Sequence, residues 1–180
     1  NMLMSFKKPY PAQYEKFLAL KNGKNVFVRP IRDTDGKLLL ELFDKLYPDS
    51  IYRRFLTPLR MIPESLLFKL THVNYDSDFA LVAVIPENGK DAIIAVARYG
   101  YDVREQVTDF AILVRDDWQG LGLGKRLLKD IFAIGRDHGV SCFVSLIDSN
   151  NHVMKELIKR LDYPVTYSYR TGASKVQIFV

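Results

Sequence analysis

The sequence predicts an α/β domain in which helices flank a mixed central sheet of about six to seven strands. Three observations predict it. Short apolar runs rich in branched and aromatic residues alternate with amphipathic helical patterns. Asn88-Gly89 between two such runs is a hairpin signal, whereas the wholly apolar run Cys142 to Ile147 reads as a strand with a parallel neighbour. The chain has 180 residues, 48% of them hydrophobic, which suits one domain with a substantial core.

The first 22 residues carry Lys7-Lys8-Pro9-Tyr10-Pro11 and a weak apolar pattern at Tyr14, Phe17 and Leu18. They read as an arm or linker remnant with one short helix, ahead of a domain over 23–180. Residues 25–31 form the first strand, with Pro30 at a sheet edge or at the strand's end. Asp33 caps a helix over 34–46, whose stripe is Leu38, Leu39, Leu42, Phe43 and Leu46. Pro48-Asp49-Ser50 breaks the chain and starts a short helix through Phe55. Pro63 fits the first position of another helix, with Leu66, Leu67 and Leu70 inward.

Phe79 to Ile85 and Ala92 to Ala97 form the hairpin, and 99–106 reads as a polar loop. Residues 107–115 make the central strand. A charged turn and three glycines follow, then a helix to about Asp137 that Gly139 ends. After the strand at 142–147, Asn150 or Asn151 caps a helix over 152–161 with Val153, Met154, Leu157, Ile158 and Leu161 inward. Two strands over about 164–169 and 175–180 close the chain.

The stretch 109–124, D-F-A-I-L-V-R-D-D-W-Q-G-L-G-L-G, carries the chemistry. A strand leads into a turn with little side-chain bulk, where Gly lets a ligand approach closely. The next helix begins with unpaired N–H groups and a partial positive charge, which together bind phosphate. Two common phosphate loops are rejected. A Walker P-loop needs Gly-Lys followed by Ser or Thr, but Arg126 follows Gly124-Lys125 and Gln119 stands where the first Gly belongs. A dinucleotide fingerprint counted from Gly120 or Gly122 ends on Lys125 or Leu127.

The pattern that fits is Q-x-x-G-x-G over Gln119, Gly120, Leu121, Gly122, Leu123 and Gly124. It resembles the coenzyme A pyrophosphate loop of the GNAT superfamily of N-acetyltransferases. The stretches L-K-N-G-K-N-V-F-V-R-P-I-R (20–32), S-I-Y-R-R-F-L (50–56) and F-A-L-V-A-V (79–84) resemble the GNAT domain of bacterial Pat-type protein lysine acetyltransferases. The resemblance implies the GNAT fold, acetyl-coenzyme A as cosubstrate with no metal, and acetyl transfer to an amine. It makes the helices before the hairpin one wall of the acceptor cleft. The subfamily implies a lysine of a protein substrate, with acyl-coenzyme A synthetases among the typical partners. A small-molecule amine acetyltransferase and a weakly catalytic coenzyme A-binding module are the alternatives.

The resemblance also assigns candidate roles. Asp109 is the candidate general base, where the subfamily usually has glutamate; the competing reading is a strand-end carboxylate that caps an N–H or pairs with an arginine. Glu105 is a second candidate base. Backbone N–H groups of Ile112, Leu113 and Val114 are candidates for the pantetheine arm and the thioester oxygen. The loop with Lys125 holds the pyrophosphate, and the cluster Lys125, Arg126 and Lys129 suits a polyanion. Asn151 matches an asparagine that contacts the pantetheine arm. Ile158 occupies the position of a tyrosine that protonates the leaving thiolate in many relatives, so no side-chain acid is expected there. Asp162-Tyr163 replaces the family's Gly-Phe.

Other features read as structural. Arg53 and Arg54 form a solvated helix face, with an acidic protein substrate as the alternative. His72, His138 and His152 lack metal-ligand spacing, and Trp118 packs. Net charge is +5, but the basic residues are dispersed, so no nucleic-acid surface is expected. Cys142 is a single cysteine in an apolar run, which fits a reducing cytoplasm. No signal peptide and no membrane span are expected.

Overall fold

The computed structural model describes residues 7–180. The elements are β1 (Lys16–Ala19), β2 (Asn25–Pro30), α1 (Gly36–Asp44), α2 (Pro48–Phe55), α3 (Glu64–Thr71), β3 (Asp78–Glu87), β4 (Lys90–Asp102), β5 (Val107–Val114), α4 (Leu123–Asp137), β6 (Cys142–Asp148), α5 (His152–Leu161), β7 (Val165–Arg170) and β8 (Ala173–Phe179). One mixed sheet of eight strands runs in the order β1-β2-β3-β4-β5-β6-β8-β7. Among the described residues only β5 and β6 pair in parallel.

The eighth strand corrects the expected count of six to seven. The short helix expected in the arm is one 3-10 turn at Ala12–Tyr14, while residues 16–19 form edge strand β1, because Phe17 pairs with Phe27 and Leu18 with Val26 of β2. Leu18 faces the core while Phe17 is 74% exposed, so the short run lacks a periodic signature of its own. The arm reading also covers residues 1–6, which lie outside the described residues. Tyr99 to Asp102, read as loop, continues β4 and pairs with Val107 to Phe110. Asp33 does not cap α1. It starts a 3-10 turn and binds Lys7 at 2.5 Å. Asp35 stands at the N-cap but its side chain caps no α1 N–H; it accepts the Arg32 N–H at 2.7 Å and a bidentate, buried ion pair from Arg29 at 2.8 Å. Pro63 stands one residue before α3.

The two sheet faces do different work. Phe110 meets Phe132 of α4, and Gly124 lies against Val114 and Ile112, so one face of β5 looks at α4. Leu113 and Val96 meet Leu39 and Phe43, so the other face looks at α1. Gly135 lets α4 sit close to the sheet. A methyl there would lie 2.5 Å from Cζ of Phe143, which is fully buried and stacked on Phe132. Gly135→Ala is therefore expected to destabilise the fold by about 1–3 kcal/mol, since overpacking outweighs the ~1 kcal/mol gained in helix propensity. Chemical denaturation would reveal a lower midpoint; a raised one would mean that Phe143 yields freely.

Candidate active site

The site is built where β5 hands over to α4. β5 and β6 pair only at Thr108–Phe143 and Asp109–Val144. Beyond Asp109 they diverge, while β5 stays paired with β4 as far as Val114. The β6-facing edge of 110–114 is thus open. The Arg115 N–H bonds the Ile94 C=O at 2.8 Å, and alternation from that bond turns the backbone groups of Ile112 and Val114 into the opening and those of Leu113 toward β4. Gln119 agrees with this, because its Nε2 donates to the Val114 C=O at 3.0 Å.

The glycine loop lies at the mouth of the opening. Gly120 and Gly122 have φ of +78° and +83°, and Gly122 is the N-cap of α4 with no side chain capping it. The N–H groups of Leu123, Gly124 and Lys125 start the helix without intrahelical partners. Leu123 is 1% exposed, so its side chain serves the core and only its N–H is free for an anion. Gly124 has ordinary backbone, and its need is space. A methyl there would touch Leu157 at 3.4 Å and Val114 at 3.6 Å. The loop residues thus present an open, uncapped helix start, which fits a diphosphate.

Lys21 belongs to this site and has no signal in the local sequence. It comes from the β1–β2 turn, and a methyl on Gly122 would lie 3.3 Å from its Cε and 4.0 Å from its Nζ. Lys24, from the same turn, sits over the Trp118 ring at 5.2 Å. Lys21→Ala is expected to raise the KM for acetyl-coenzyme A by about 2- to 5-fold, as for an exposed ion pair, and less at high salt. Initial-rate kinetics at two ionic strengths would measure it; an unmoved KM removes Lys21.

The turn between strand and loop is clamped. Arg115, 4% exposed, donates to Glu87 at 3.0 and 2.7 Å and to Asp117 at 2.7 Å. Arg115 first, then Lys45 at 2.6 Å, hold the Glu87 carboxyl down to about 2. Since that pKa is depressed, the clamp's contribution is present above the ordinary glutamate value of about 4.3 and fades as pH falls through about 2. Asp116 accepts the Tyr47 N–H at 3.0 Å and the Ser50 hydroxyl at 2.6 Å. It thereby ties the start of α2 to the loop.

Asp109 stands opposite Gly100, on the sheet face that looks toward α1. It is exposed, and no hydrogen bond or ion pair engages its carboxylate among the described residues. This leaves the strand-end capping alternative without a partner. Although the side chain is open to solvent, partial desolvation by its neighbours, then the charges of Asp102 and Glu105, raise its pKa above the ordinary aspartate value. Glu105 lies in the turn after β4 and acts on Asp109 through charge. Asn151 caps α5 by accepting the Met154 N–H at 3.1 Å. Ile158 is 1% exposed, and Asp162 takes the left-handed turn at φ +60°.

Arg53 is exposed, as a solvated face requires, but Arg54 turns into the cleft beside Arg98. A surface cavity of about 590 Å3 between α5 and β7 is lined by neither Asp109 nor the glycine loop.

Residues 39–163 match the model of the acetyltransferase (GNAT) family. Over 145 residues the chain is 28% identical to an acetyltransferase of Pseudomonas aeruginosa, covering 81% of this chain and 78% of that one. It is 29% identical over 163 residues to acetyltransferase Pat of Mycolicibacterium smegmatis, covering 88% of this chain and 45% of that protein. The crystal structure of the GNAT domain of S. lividans PAT matches with a TM-score of 0.86 at 26% identity, covering 95% of this chain and 99% of that one.

Proposed function

The chain belongs to the acetyltransferase (GNAT) family, and from that premise we propose that it transfers acetyl from acetyl-coenzyme A to the side-chain amine of a lysine in a protein substrate. The carrying observation is the opening between β5 and β6, which has the uncapped start of α4 at its mouth and an unpartnered carboxylate, Asp109, on the adjoining face. The likeness to Pat proteins over most of the chain supports protein lysine as the acceptor.

Acetyl-coenzyme A supplies an activated acetyl thioester. Asp109 takes the proton from the lysine ammonium, whose unperturbed pKa is about 10.4, and so frees the lone pair that attacks the carbonyl carbon. The carbon–sulfur bond breaks and coenzyme A leaves as the thiolate. N–H groups of Ile112 and Val114 face the space where negative charge gathers on the thioester oxygen. Ile158 offers no proton to the thiolate, so water relays to it the second proton that the nitrogen sheds as the amide forms. The loop 119–124 with Lys125 and Lys21 grips the pyrophosphate, and Asn151 borders the pantetheine arm. An acyl-coenzyme A synthetase is the partner this reading favours, and a cytoplasmic setting accompanies it.

Incubation with acetyl-coenzyme A and a purified acyl-coenzyme A synthetase, read by intact mass, tests the proposal. One added acetyl on a lysine is expected. Cofactor binding without transfer to any protein would turn the reading toward a small-molecule amine.

A further inference from the structure

Arg54 of α2 and Arg98 of β4 bring two guanidinium groups into one narrow cleft on the α1 side of the sheet. Leu39, Phe43, Leu70, Val96 and Leu113 form its other walls. Neither arginine is paired with a carboxylate among the described residues. Arg98 Nη2 donates to the Leu70 C=O at 3.0 Å, and Arg54 rests 4.7 Å over the Phe55 ring. Asp78, the acid that Arg98 feels, already accepts the Asn74 N–H at 3.0 Å. Burial pushes Arg54 down to about 10. Burial and then the charge of Arg54 push Arg98 down to about 9.

Two like charges partly withdrawn from solvent and without a counterion are costly to the fold alone. An anion relieves both costs at once. The planar guanidinium fork matches a carboxylate in two parallel bonds. The free space between the walls is only about 10 Å3, no more than one water-sized group, and both arginines keep part of their surface toward solvent. The position relative to Asp109 gives the site a use. Arg98 opposes Ala111 and Gly100 opposes Asp109, so Arg98 and Asp109 are diagonal neighbours on one face, a spacing of roughly 7–8 Å and somewhat less at Cβ for such pairs.

We propose that Arg54 and Arg98 bind a carboxylate carried by the acceptor, so that the enzyme selects amines with an acid group near the reacting nitrogen. This rests on the reading of the α1 face as the acceptor cleft. The acid is either an Asp or Glu beside the target lysine or the carboxylate of a free amino acid.

The test compares wild-type protein with Arg54→Met and Arg54→Lys, using acetyl-coenzyme A and two acceptor sets. One set is blocked pentapeptides with Lys flanked by Asp or by Asn. The other is free L-lysine against its amide. The acid-bearing acceptors are expected to exceed their neutral partners by about tenfold or more in kcat/KM, the scale of a charged hydrogen-bonded pair. Arg54→Met should collapse that ratio to near one without lowering Tm or changing the KM for acetyl-coenzyme A, and Arg54→Lys should restore part of it. Preference in the peptide set alone names the protein source, and preference for free lysine names the amino acid.

Equal rates for acidic and neutral acceptors, or a ratio that survives Arg54→Met, would overturn the proposal. So would a preference for succinyl- over acetyl-coenzyme A that Arg54→Met abolishes, since the carboxylate would then sit on the donor. If no amine of either set is acetylated, the acceptor reading above fails separately. Glutarate titration followed by the Arg54 and Arg98 Nε–H NMR signals then decides the site: shifts in wild type that vanish in Arg54→Met support it, and unmoved signals overturn it.

Discussion

Asp109→Asn is expected to slow acetyl transfer at neutral pH by about 10²- to 10⁴-fold, the usual scale for losing a positioned base, with affinity for acetyl-coenzyme A unchanged. The carboxylate is exposed and makes no bond in the fold, so the loss should not come through unfolding. Its pKa is raised, first by partial desolvation and then by Asp102 and Glu105. The ionised form is the active base, so the rate should fall as pH drops through a value above the ordinary aspartate range. Replacing Asp102 and Glu105 with their amides removes two repelling charges and should shift that limb to lower pH. The Asn variant should recover in part as pH climbs toward the lysine pKa of about 10.4, where free amine forms unaided. Asp109→Glu should keep most of the rate. A pH–rate profile of the four proteins measures all of this. An Asn variant as fast as the parent would remove Asp109 as the base.

Gly122→Asp is expected to weaken acetyl-coenzyme A binding by more than about 100-fold, some 2.7 kcal/mol. Three effects act together. At φ +83° any side chain is strained, at a cost of about 1–2 kcal/mol. The new Cβ would press on Lys21 at 3.3 Å. The carboxylate would then stand beside the free N–H groups of α4, where the diphosphate belongs, and repel it. Gly122→Ala separates these effects, since it keeps the strain and omits the charge, and it should lose far less affinity. Calorimetric titration of both variants is the measurement. Unchanged affinity in the Asp variant would show that the loop does not hold the pyrophosphate.

Much of the site was legible because its signals are short-range. Three glycines at alternate positions between an apolar strand and an amphipathic helix announce an uncapped helix start, and the positive φ at Gly120 and Gly122 matches that reading. The Asn88-Gly89 turn, the stop at Gly139 and the Asn151 cap are local in the same sense. Ridges of Leu127, Leu128, Ile131 and Phe132 declare the buried face of α4 by spacing alone. Asp33 was misread because Asp35, two residues on, competes for the same turn and wins through Arg29, a partner on another element.

What the sequence by itself determined is the strand–loop–helix unit, its glycines and the residue types that chemistry demands there. The backbone conformations involved depend on neighbours a few positions away. Only the tertiary structure decided that β1 completes an eight-stranded sheet, that β5 and β6 part after Asp109, and that Lys21 reaches Gly122. It also decided that Asp116 grips α2 and that Arg54 turns inward to meet Arg98. Each of these is a pairing between residues far apart in the chain. A side chain's charge is written in the sequence, but its counterion, its burial and the strand it lies beside are set by packing.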